Sequence, residues 1–284
     1  MNEVVFLNGK ILPLKEAKIS ISTPGVLYGW GLFETMRSYN NKIVYFNQHL
    51  KRIKDSSRLL GIKLSYSIDR LKDIIKQAVK INCFRDSSVR LTVWKSNSGA
   101  DILVVVKKYH PYSSEKYKRG FRACVSKFKQ NENSHLTRLK TTSYLLYQLS
   151  LHEAKERGFD EAIILNNRGL IAEGSRSNIF FIKEEELFTP SLECGCLDGI
   201  TRRVIFDLAR KYKIKIYEGN FTLQDLYKAD EAFLTNSLMG VMPLERIEKH
   251  RIAKGVKNFR LTRFFINKYK NLLKNGTEKN KIAF

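Results

Sequence analysis

Residues 139–144 read Leu-Lys-Thr-Thr-Ser-Tyr, and residues 173–178 read Glu-Gly-Ser-Arg-Ser-Asn. The first stretch places Lys140 at the predicted start of a helix, and the second places Glu173 where one apolar strand turns into the next. A lysine held there beside buried strands can act as an amine nucleophile. Taken singly, Lys140 also fits a surface lysine, and Glu173 an acid that caps a turn. Together they predict a covalent cofactor site.

Length and composition indicate a folded protein of one large or two ordinary domains. The chain has 284 residues, of which 43% are hydrophobic. It contains neither an apolar run of about 18 residues nor a basic start followed by an apolar stretch, so no membrane span or signal peptide is predicted. The expected location is therefore the cytoplasm. The four cysteines are too few and too scattered for a disulfide framework, and no metal site is predicted.

The chain is strongly basic, with a net charge of +23. Basic residues are concentrated between Arg246 and Lys281, where apolar residues recur at helical spacing and predict a surface helix with an apolar stripe. No helix-turn-helix, zinc-finger or stacking-aromatic signature accompanies the charge, so no specific nucleic-acid partner is expected. The charge favours an anionic substrate or cofactor, or reflects a lysine-rich composition.

Hydrophobic patterning predicts two α+β units, residues 1–115 and 116–284, joined by a polar linker at 109–119. The first contains a hairpin at Asn8-Gly9, helices capped by Asn47 and Ser67, and strands at 32–39, 43–46, 89–94 and 102–106. The second contains helices at 142–157, 200–212 and 223–227, with strands at 123–128, 161–165, 170–173, 178–182, 214–217 and 231–235.

Nine short segments carry a family pattern. They are Asn8-Gly9, Tyr28-Gly-Trp-Gly-Leu-Phe-Glu-Thr35, His49-Leu-Lys-Arg52, Lys140-Thr141, Asp160-Glu-Ala162, Glu173 to Asn178, Thr189-Pro190, Asp198-Gly-Ile-Thr-Arg202 and Thr235-Asn-Ser-Leu-Met-Gly-Val-Met-Pro243. In this order the chain resembles the class IV pyridoxal-phosphate enzymes, which include branched-chain and D-amino-acid aminotransferases and aminodeoxychorismate lyase. The resemblance implies a two-domain α+β fold of the D-amino-acid aminotransferase type, with a smaller N-terminal α/β sandwich and a larger C-terminal pseudo-barrel. It also implies a homodimer.

The resemblance further implies pyridoxal 5'-phosphate as cofactor, attached covalently to Lys140, which would then move protons. Glu173 would pair with the ring nitrogen, because opposite charges attract strongly in a site of low dielectric. Arg52 would grip the phosphate, since its fork suits two oxygens. Further cofactor contacts are implied for Leu197, Ile200, Thr201, Asn236, Ser237 and Tyr144. Tyr144 fits a core tyrosine equally well.

The substrate side is predicted from strand alternation, and the expected substrate is a small amine or amino acid. Alternation along residues 32–38 places Phe33 and Thr35 on one face. Tyr28 and Arg90 are further candidates for contact with the substrate and its carboxylate. Arg90 is equally compatible with a solvated strand residue.

Two reactions remain open. The leading hypothesis is 4-amino-4-deoxychorismate lyase, which forms p-aminobenzoate and pyruvate on the folate route, because residues 235–240 resemble that branch. The alternative is an amino-acid transaminase for branched-chain or D-amino acids, although the Arg-x-His pair expected of a D-amino-acid enzyme is missing after strand 89–94. A non-catalytic relative would be expected to lack at least one of Lys140, Glu173 and Arg52, and all three are present.

Overall fold

The computed structural model describes residues 3–252 and 259–275. The chain divides into two compact units, Met1–Pro111 with Leu139–Ser143, and Tyr112–Arg138 with Tyr144–Phe284. The polar segment predicted as a linker contains a helix, Ser114–Arg119, so the expected boundary at 115/116 falls inside it. Ser113 explains the helix, because its side chain accepts a hydrogen bond from the Lys116 N–H.

The first unit is an antiparallel six-stranded sheet with helices, and its elements follow in chain order. They are β1 (Val4–Leu7), β2 (Lys10–Pro13), α1 (Pro24–Leu27), β3 (Gly31–Tyr39), β4 (Lys42–Ile43), α2 (Phe46–Leu59), α3 (Ile68–Asn82), β5 (Asp86–Ser96) and β6 (Gly99–Lys108). The strand order is β2-β1-β6-β5-β3-β4. β3 is a long inner strand paired with β5 along its whole length, which makes it a rigid support for side chains.

The core of this unit packs one face of β3 against α2 and α3. Leu32 and Met36 alternate along β3 and join Leu50 of α2 and Leu71 of α3 in one buried cluster. The helix cap predicted at Ser67 is confirmed, because its side chain accepts from the Arg70 N–H.

The start of α2 differs from the prediction. The strand predicted at 43–46 ends at Ile43, and α2 begins at Phe46 rather than after a cap at Asn47. Tyr45 explains both differences, because its left-handed backbone (φ 51°) turns the chain out of the strand and into the helix.

Residues 140–142 lie beside β3, to which one isolated antiparallel bridge, Leu32–Thr141, connects them. The Phe33 N–H donates to the Lys140 carbonyl at 2.9 Å, and the Thr142 N–H donates to the Gly31 carbonyl at 2.9 Å. The prediction that Lys140 lies at the start of a helix is therefore wrong, since the helix begins only at Leu145. Lys140 is held by the strand that carries Phe33.

The second unit contains a mixed sheet and the remaining helices. Its elements are α4 (Ser114–Arg119), β7 (Phe121–Val125), α5 (Leu145–Glu156), β8 (Glu161–Leu165), β9 (Ile171–Gly174), β10 (Asn178–Lys183), β11 (Glu186–Pro190), α6 (Ile200–Lys211), β12 (Ile216–Gly219), α7 (Leu223–Tyr227), β13 (Glu231–Asn236), β14 (Gly240–Ile247), β15 (His250–Arg251) and α8 (Arg260–Asn275). The sheet order is β12-β11-β10-β13-β14-β7-β8-β9, with β15 beside β14. The pairs β11–β12, β14–β7 and β7–β8 are parallel. A bridge between Gly174 and Ser177 brings the end of β9 against the start of β10.

The predicted amphipathic helix of the basic tail is present as α8. Phe265 and Tyr269 are buried, whereas Arg263 and Lys270 are exposed. The tail at 253–258 and beyond Asn275 lies outside the described residues. Among the helices of the described ranges, none is long and apolar enough to cross a membrane.

Candidate active site

Lys140 lies over an aromatic ring in the first unit. Its Nζ atom is 4.6 Å from the centre of the Phe33 ring, and Phe33 itself is buried. The Arg90 guanidinium, from the neighbouring strand β5, lies 3.8 Å from the centre of the same ring. The backbone bond between Phe33 and Lys140 and the ring contact together fix the amine against an apolar surface.

A buried acid next to Phe33 was missed by the sequence reasoning. Glu34 points to the opposite face of β3 and is 1% exposed. Its carboxylate accepts hydrogen bonds from Arg52 Nε (2.6 Å) and Nη2 (2.7 Å), and its Oε2 pairs with His49 Nδ1 at 2.6 Å. His49 and Arg52 lie one turn apart on α2 and so reach the same carboxylate. Arg52, the expected phosphate ligand, is thus oriented by an ion pair.

Electrostatics keep this acid ionised. Burial alone raises the pKa of Glu34, but the Arg52 charge, the charge that His49 carries at low pH and the hydrogen bonds of both residues outweigh it and lower the pKa to about 2. Burial lowers the pKa of His49 below its usual value, against the opposing pull of Glu34. His49 is therefore neutral at pH 7 and donates its Nδ1 proton to Glu34.

Glu173 lies on β9, a strand of the second unit in which all four residues are buried. It is 5% exposed. Its Oε2 accepts from the Leu197 N–H at 3.1 Å and from Asn178 Nδ2 at 3.3 Å, and its Oε1 accepts from the Tyr147 hydroxyl at 3.0 Å. These donors come from three separate segments, so the carboxylate has a fixed orientation.

The start of α6 carries several groups predicted to bind the cofactor. Asn178 Nδ2 also donates to the Leu197 carbonyl at 2.8 Å, which fixes the loop that leads into the helix. A Cβ atom at Gly199 would overlap Asn178 Oδ1, so this position has no room for a side chain. Ile200 and Thr201 then begin the helix, and both are buried.

Tyr144, Asn236 and Ser237 lie near turns of the second unit. The Tyr144 hydroxyl donates to the Ser175 carbonyl at 3.0 Å. Asn236 Nδ2 donates to the Arg176 carbonyl at 3.2 Å, and its Oδ1 accepts from the backbone N–H groups of Leu238 and Met239. Asn236 thus ties the turn after Glu173 to the turn before β14. Ser237 lies within the latter turn and is half-buried.

The remaining substrate candidates differ in exposure. Tyr28 is 74% exposed at the end of α1. Thr35 is half-buried and pairs in register with Arg90 across β3 and β5. The structure thus brings Phe33 and Arg90 into direct contact and places Thr35 on the strand beside Arg90, while Tyr28 lies on the surface of the same unit.

Each unit, taken by itself, holds groups that fit pyridoxal phosphate. The buried Thr201 hydroxyl has no hydrogen-bond partner within the described part of the chain, and the first turn of α6 lacks a side-chain cap. Unpaired donors at a helix N-terminus suit a phosphate. A lysine against an apolar ring suits covalent attachment, and a buried, fixed carboxylate suits a protonated ring nitrogen.

Sequence reasoning missed the roles of Glu34, His49, Tyr147 and Asn178. Glu34 had a usable signal, because it alternates with apolar Leu32 and Met36 and must therefore face the core. A buried carboxylate needs partners, and the His49 and Arg52 pair on the next helix could have supplied them. Tyr147 lies three positions after Tyr144, a spacing that brings the two rings together in a stack.

Known proteins resemble the chain over most of its length. The model of the family described as amino-transferase class IV matches residues 31–247. A probable branched-chain-amino-acid aminotransferase of Aquifex aeolicus (strain VF5) is 33% identical over 272 residues, which cover 89% of this chain and 87% of that protein. The aminodeoxychorismate lyase of Bacillus subtilis (strain 168) is 30% identical over 261 residues, with 87% of each covered.

A solved structure shows the same fold. The branched-chain aminotransferase of the archaeon Thermoproteus uzoniensis, solved with norvaline, has a TM-score of 0.88 and 28% identity, with 98% of this chain and 97% of that chain covered. Another similar structure, also of a branched-chain aminotransferase, contains pyridoxamine 5'-phosphate. The expected two-domain α+β fold is thereby confirmed, as is the expectation of an enzyme of the pyridoxal-phosphate class. The chain belongs to the class IV amino-transferase family.

Proposed function

We propose that this chain is a pyridoxal-phosphate transaminase that moves the amino group of a branched-chain amino acid to a 2-oxo acid. The observation that carries the proposal is the 33% identity to the Aquifex relative, which extends over nearly the whole of both chains. The Thermoproteus protein, whose structure is similar, is also named a branched-chain aminotransferase. These comparisons favour the transaminase, which the sequence left as the alternative, over the lyase.

Lys140 is the proposed catalytic residue. Its amine is held against the Phe33 ring and is proposed to attach the cofactor and then to move the proton at the substrate carbon. When bound, pyridoxal phosphate supplies an electron sink that makes the C–H bond beside the substrate amine acidic. Glu173 is proposed to hold the proton on the ring nitrogen, because its carboxylate is buried and fixed by donors from three segments.

The phosphate is proposed to bind the first turn of α6 and Arg52. Thr201 offers a buried hydroxyl, and the first backbone N–H groups of the helix, at Ile200 and Thr201, have no partner within the helix. Glu34 binds the Nε and Nη2 edge of Arg52 and so orients the guanidinium, and a phosphate would meet its other edge, Nη1 and Nη2. Ser237 is proposed as a further hydroxyl donor, and Leu197, Asn236 and Tyr144 are proposed as further cofactor contacts.

The substrate is proposed to use the face of β3 that carries Phe33. The Phe33 ring offers an apolar surface for an aliphatic side chain, and the Arg90 guanidinium 3.8 Å from the ring centre offers a cation for the carboxylate. An amino acid with a branched aliphatic side chain has both groups. Tyr28 and Thr35 are proposed to complete this side of the site.

Aminodeoxychorismate lyase is the second candidate. The turn Thr235-Asn236-Ser237-Leu238 resembles the lyase-like branch of the family, and the Bacillus subtilis relative carries that name. Both reactions begin with the same removal of a proton by Lys140. They differ in what would follow: in the transaminase Lys140 would return the proton and a 2-oxo acid would be released, whereas in the lyase pyruvate would leave the substrate.

The cofactor part of the proposal is tested by spectroscopy. Addition of pyridoxal phosphate to the purified protein should produce an absorption band close to the visible range that borohydride abolishes. The Lys140→Ala variant should lack the band, whereas Lys72→Ala, which changes a lysine of α3 paired with Asp69, should keep it. A wild-type protein without the band would refute the proposal.

The reaction is tested by two assays run side by side. One measures 2-oxo acid formation from L-leucine, L-valine, L-isoleucine and a panel of D-amino acids with 2-oxoglutarate as acceptor. The other measures p-aminobenzoate released from aminodeoxychorismate. Turnover of the branched-chain substrates without p-aminobenzoate supports the transaminase, and the opposite result replaces it with the lyase.

We also propose that the chain forms a homodimer, as the family resemblance implies. The first unit exposes several large apolar side chains, among them Leu27 (57%), Trp30 (42%) and Leu59 (75%). Such residues commonly mark an interface. A light-scattering mass of about twice 33.0 kDa is expected, and a monomer mass would contradict it.

A further inference from the structure

Tyr147 occupies a position that the family pattern does not assign. It lies in the first turn of α5, three positions after Tyr144, which directly precedes the helix, and the two rings stack with centroids 4.6 Å apart. Its hydroxyl lies 3.0 Å from Glu173 Oε1 and 2.6 Å from Gln130 Nε2. The phenol therefore joins a buried acid to a buried amide.

The direction of these hydrogen bonds follows from the donors available. Gln130 Nε2 has two protons and is near two acceptors, the Tyr147 oxygen at 2.6 Å and the Gly195 carbonyl at 3.2 Å. The Tyr147 hydroxyl has one proton, and because the oxygen accepts from Gln130, that proton goes to Glu173. Burial and the adjacent Glu173 charge raise the pKa of Tyr147, so the hydroxyl keeps its proton at neutral pH.

Gln130 is itself fixed by the backbone. Its N–H donates to the Leu165 carbonyl at 2.9 Å, and its own carbonyl accepts from the Asn167 N–H at 3.2 Å. Its side chain is closely packed, since a Cβ atom at Gly195 would lie 3.1 Å from Gln130 Cγ. The Gln130 amide therefore holds the Tyr147 hydroxyl in place, and this hydroxyl is a fixed hydrogen-bond donor to the Glu173 carboxylate.

We propose that Tyr147 is a positioning residue for the cofactor: its hydroxyl, oriented by Gln130, holds Glu173 Oε1 so that the ionised carboxylate meets the protonated ring nitrogen. This inference rests on the proposed function. Leu197 and Asn178 act on the other oxygen, Oε2, so they do not replace the phenol. A hydrogen bond to the charged form of a carboxylate stabilises that form, which in turn favours the proton on the ring nitrogen.

The test is the dissociation constant of pyridoxal phosphate, measured from its absorption on titration of cofactor-free protein. Tyr147→Phe keeps the ring and its stacking on Tyr144 but removes the hydroxyl. We expect cofactor binding about tenfold weaker, the size of one lost hydrogen bond to a charged group. Tyr217→Phe is the matched control, because it also removes a tyrosine hydroxyl that bonds a carboxylate, at 3.4 Å from Glu186 Oε1. Tyr217 is exposed, so this change should leave the dissociation constant unchanged.

A cofactor analogue separates positioning of Glu173 from a general structural effect. In this analogue a carbon atom replaces the ring nitrogen, so Glu173 has no protonated nitrogen to meet. Wild type and Tyr147→Phe should then bind the analogue with nearly equal constants. Likewise, Tyr147→Phe should have little further effect in a Glu173→Gln background, because the two residues act as one unit.

A second variant, Gln130→Met, tests the inference even if Tyr147→Phe fails to fold. Gln130→Met removes the amide that orients the phenol but keeps the side-chain length, and it should weaken cofactor binding about threefold. Unchanged pyridoxal-phosphate affinity in both variants, or an equal loss for cofactor and analogue, would overturn the inference. A wild-type protein that binds neither compound would instead contradict the proposed function itself.

Discussion

The ion pair at Glu34 provides a sharp test of how the first unit is held together. Glu34→Gln keeps the shape of the side chain but replaces one oxygen by an NH2 group. In the wild type, Oε2 accepts from both His49 Nδ1 and Arg52 Nη2, and Oε1 accepts from Arg52 Nε. An NH2 group at the Oε2 position would face two donors. With the amide turned the other way, the NH2 group would face the Arg52 Nε donor. The glutamine therefore cannot satisfy all of its neighbours in either orientation.

The expected loss of stability follows from the pKa of Glu34. Burial raises this pKa, but Arg52 and His49 bring it down from the ordinary 4.5 to about 2, and the difference corresponds to about 3 kcal/mol. Since glutamine resembles a carboxyl that is always protonated, Glu34→Gln should lower the free energy of unfolding by about 3 kcal/mol at pH 7. The magnitude agrees with the cost of breaking a buried ion pair, about 3–5 kcal/mol.

The sign of the pH dependence is fixed by the lowered pKa. A carboxyl whose folded pKa is depressed stabilises the protein fully above its unfolded pKa of 4.5 and loses this contribution as the pH falls through about 2. The difference between wild type and Glu34→Gln should therefore be constant from pH 7 to about pH 5.5. At pH 3 it should shrink to about 1.4 kcal/mol.

Tryptophan fluorescence during urea unfolding is the appropriate assay. The chain has two tryptophans, Trp30 and Trp94, and both lie in the first unit with Glu34. Asp55→Asn is the matched control, because it removes an exposed acid of α2 that pairs with Lys51 of the same helix. It should change the free energy of unfolding by less than about 0.5 kcal/mol. A loss under about 1 kcal/mol at pH 7, or a loss as large at pH 3, would refute the argument.

Three further substitutions test other parts of the structure. Gly199→Ala places a methyl group against Asn178 Oδ1, so it should displace Asn178 and weaken pyridoxal-phosphate binding at least about tenfold. An unchanged dissociation constant would contradict the tight fit. Arg90→Leu removes the cation near Phe33 and should raise KM for the amino acid about tenfold or more, with a smaller change in kcat. A fall in kcat as large as the rise in KM would argue against carboxylate binding by Arg90. Ser67→Ala removes the cap of α3 and should lower the free energy of unfolding by about 1 kcal/mol in the same fluorescence assay, with no change as the contrary result.

Elements that depend on local signals could be predicted from the sequence. The short helix Leu223–Tyr227 begins at a capping box formed by Thr222 and Asp225, two residues visible in the sequence. Strand Glu161–Leu165 has an apolar run bounded by polar residues, and its predicted bounds agree with the structure. In both cases the information lies within a window of a few residues.

The segment around Lys140 shows why other features could not be predicted in this way. Its residues are compatible with a helix start, but they bond to β3 instead, because Gly31 and Phe33 offer backbone partners more than a hundred positions earlier in the chain. The gain from pairing with β3 outweighs a weak local preference for helix. The correction matters for function, because the strand fixes Lys140 against Phe33 more rigidly than a frayed helix end would.

The side chains that support Arg52 and Glu173 could not be predicted for the same reason. Family motifs indicate Arg52 and Glu173 because these are expected to meet the cofactor, but motifs do not reveal which side chains hold them. Glu34 and His49 orient Arg52, while Tyr147 belongs to a helix 26 positions from Glu173. A buried charge without such partners would cost several kcal/mol, so partners are a physical requirement. A search of the sequence for polar residues at buried, alternating positions would therefore assign a role to residues that the motifs contain but do not explain, and Glu34 between Leu32 and Met36 is the example.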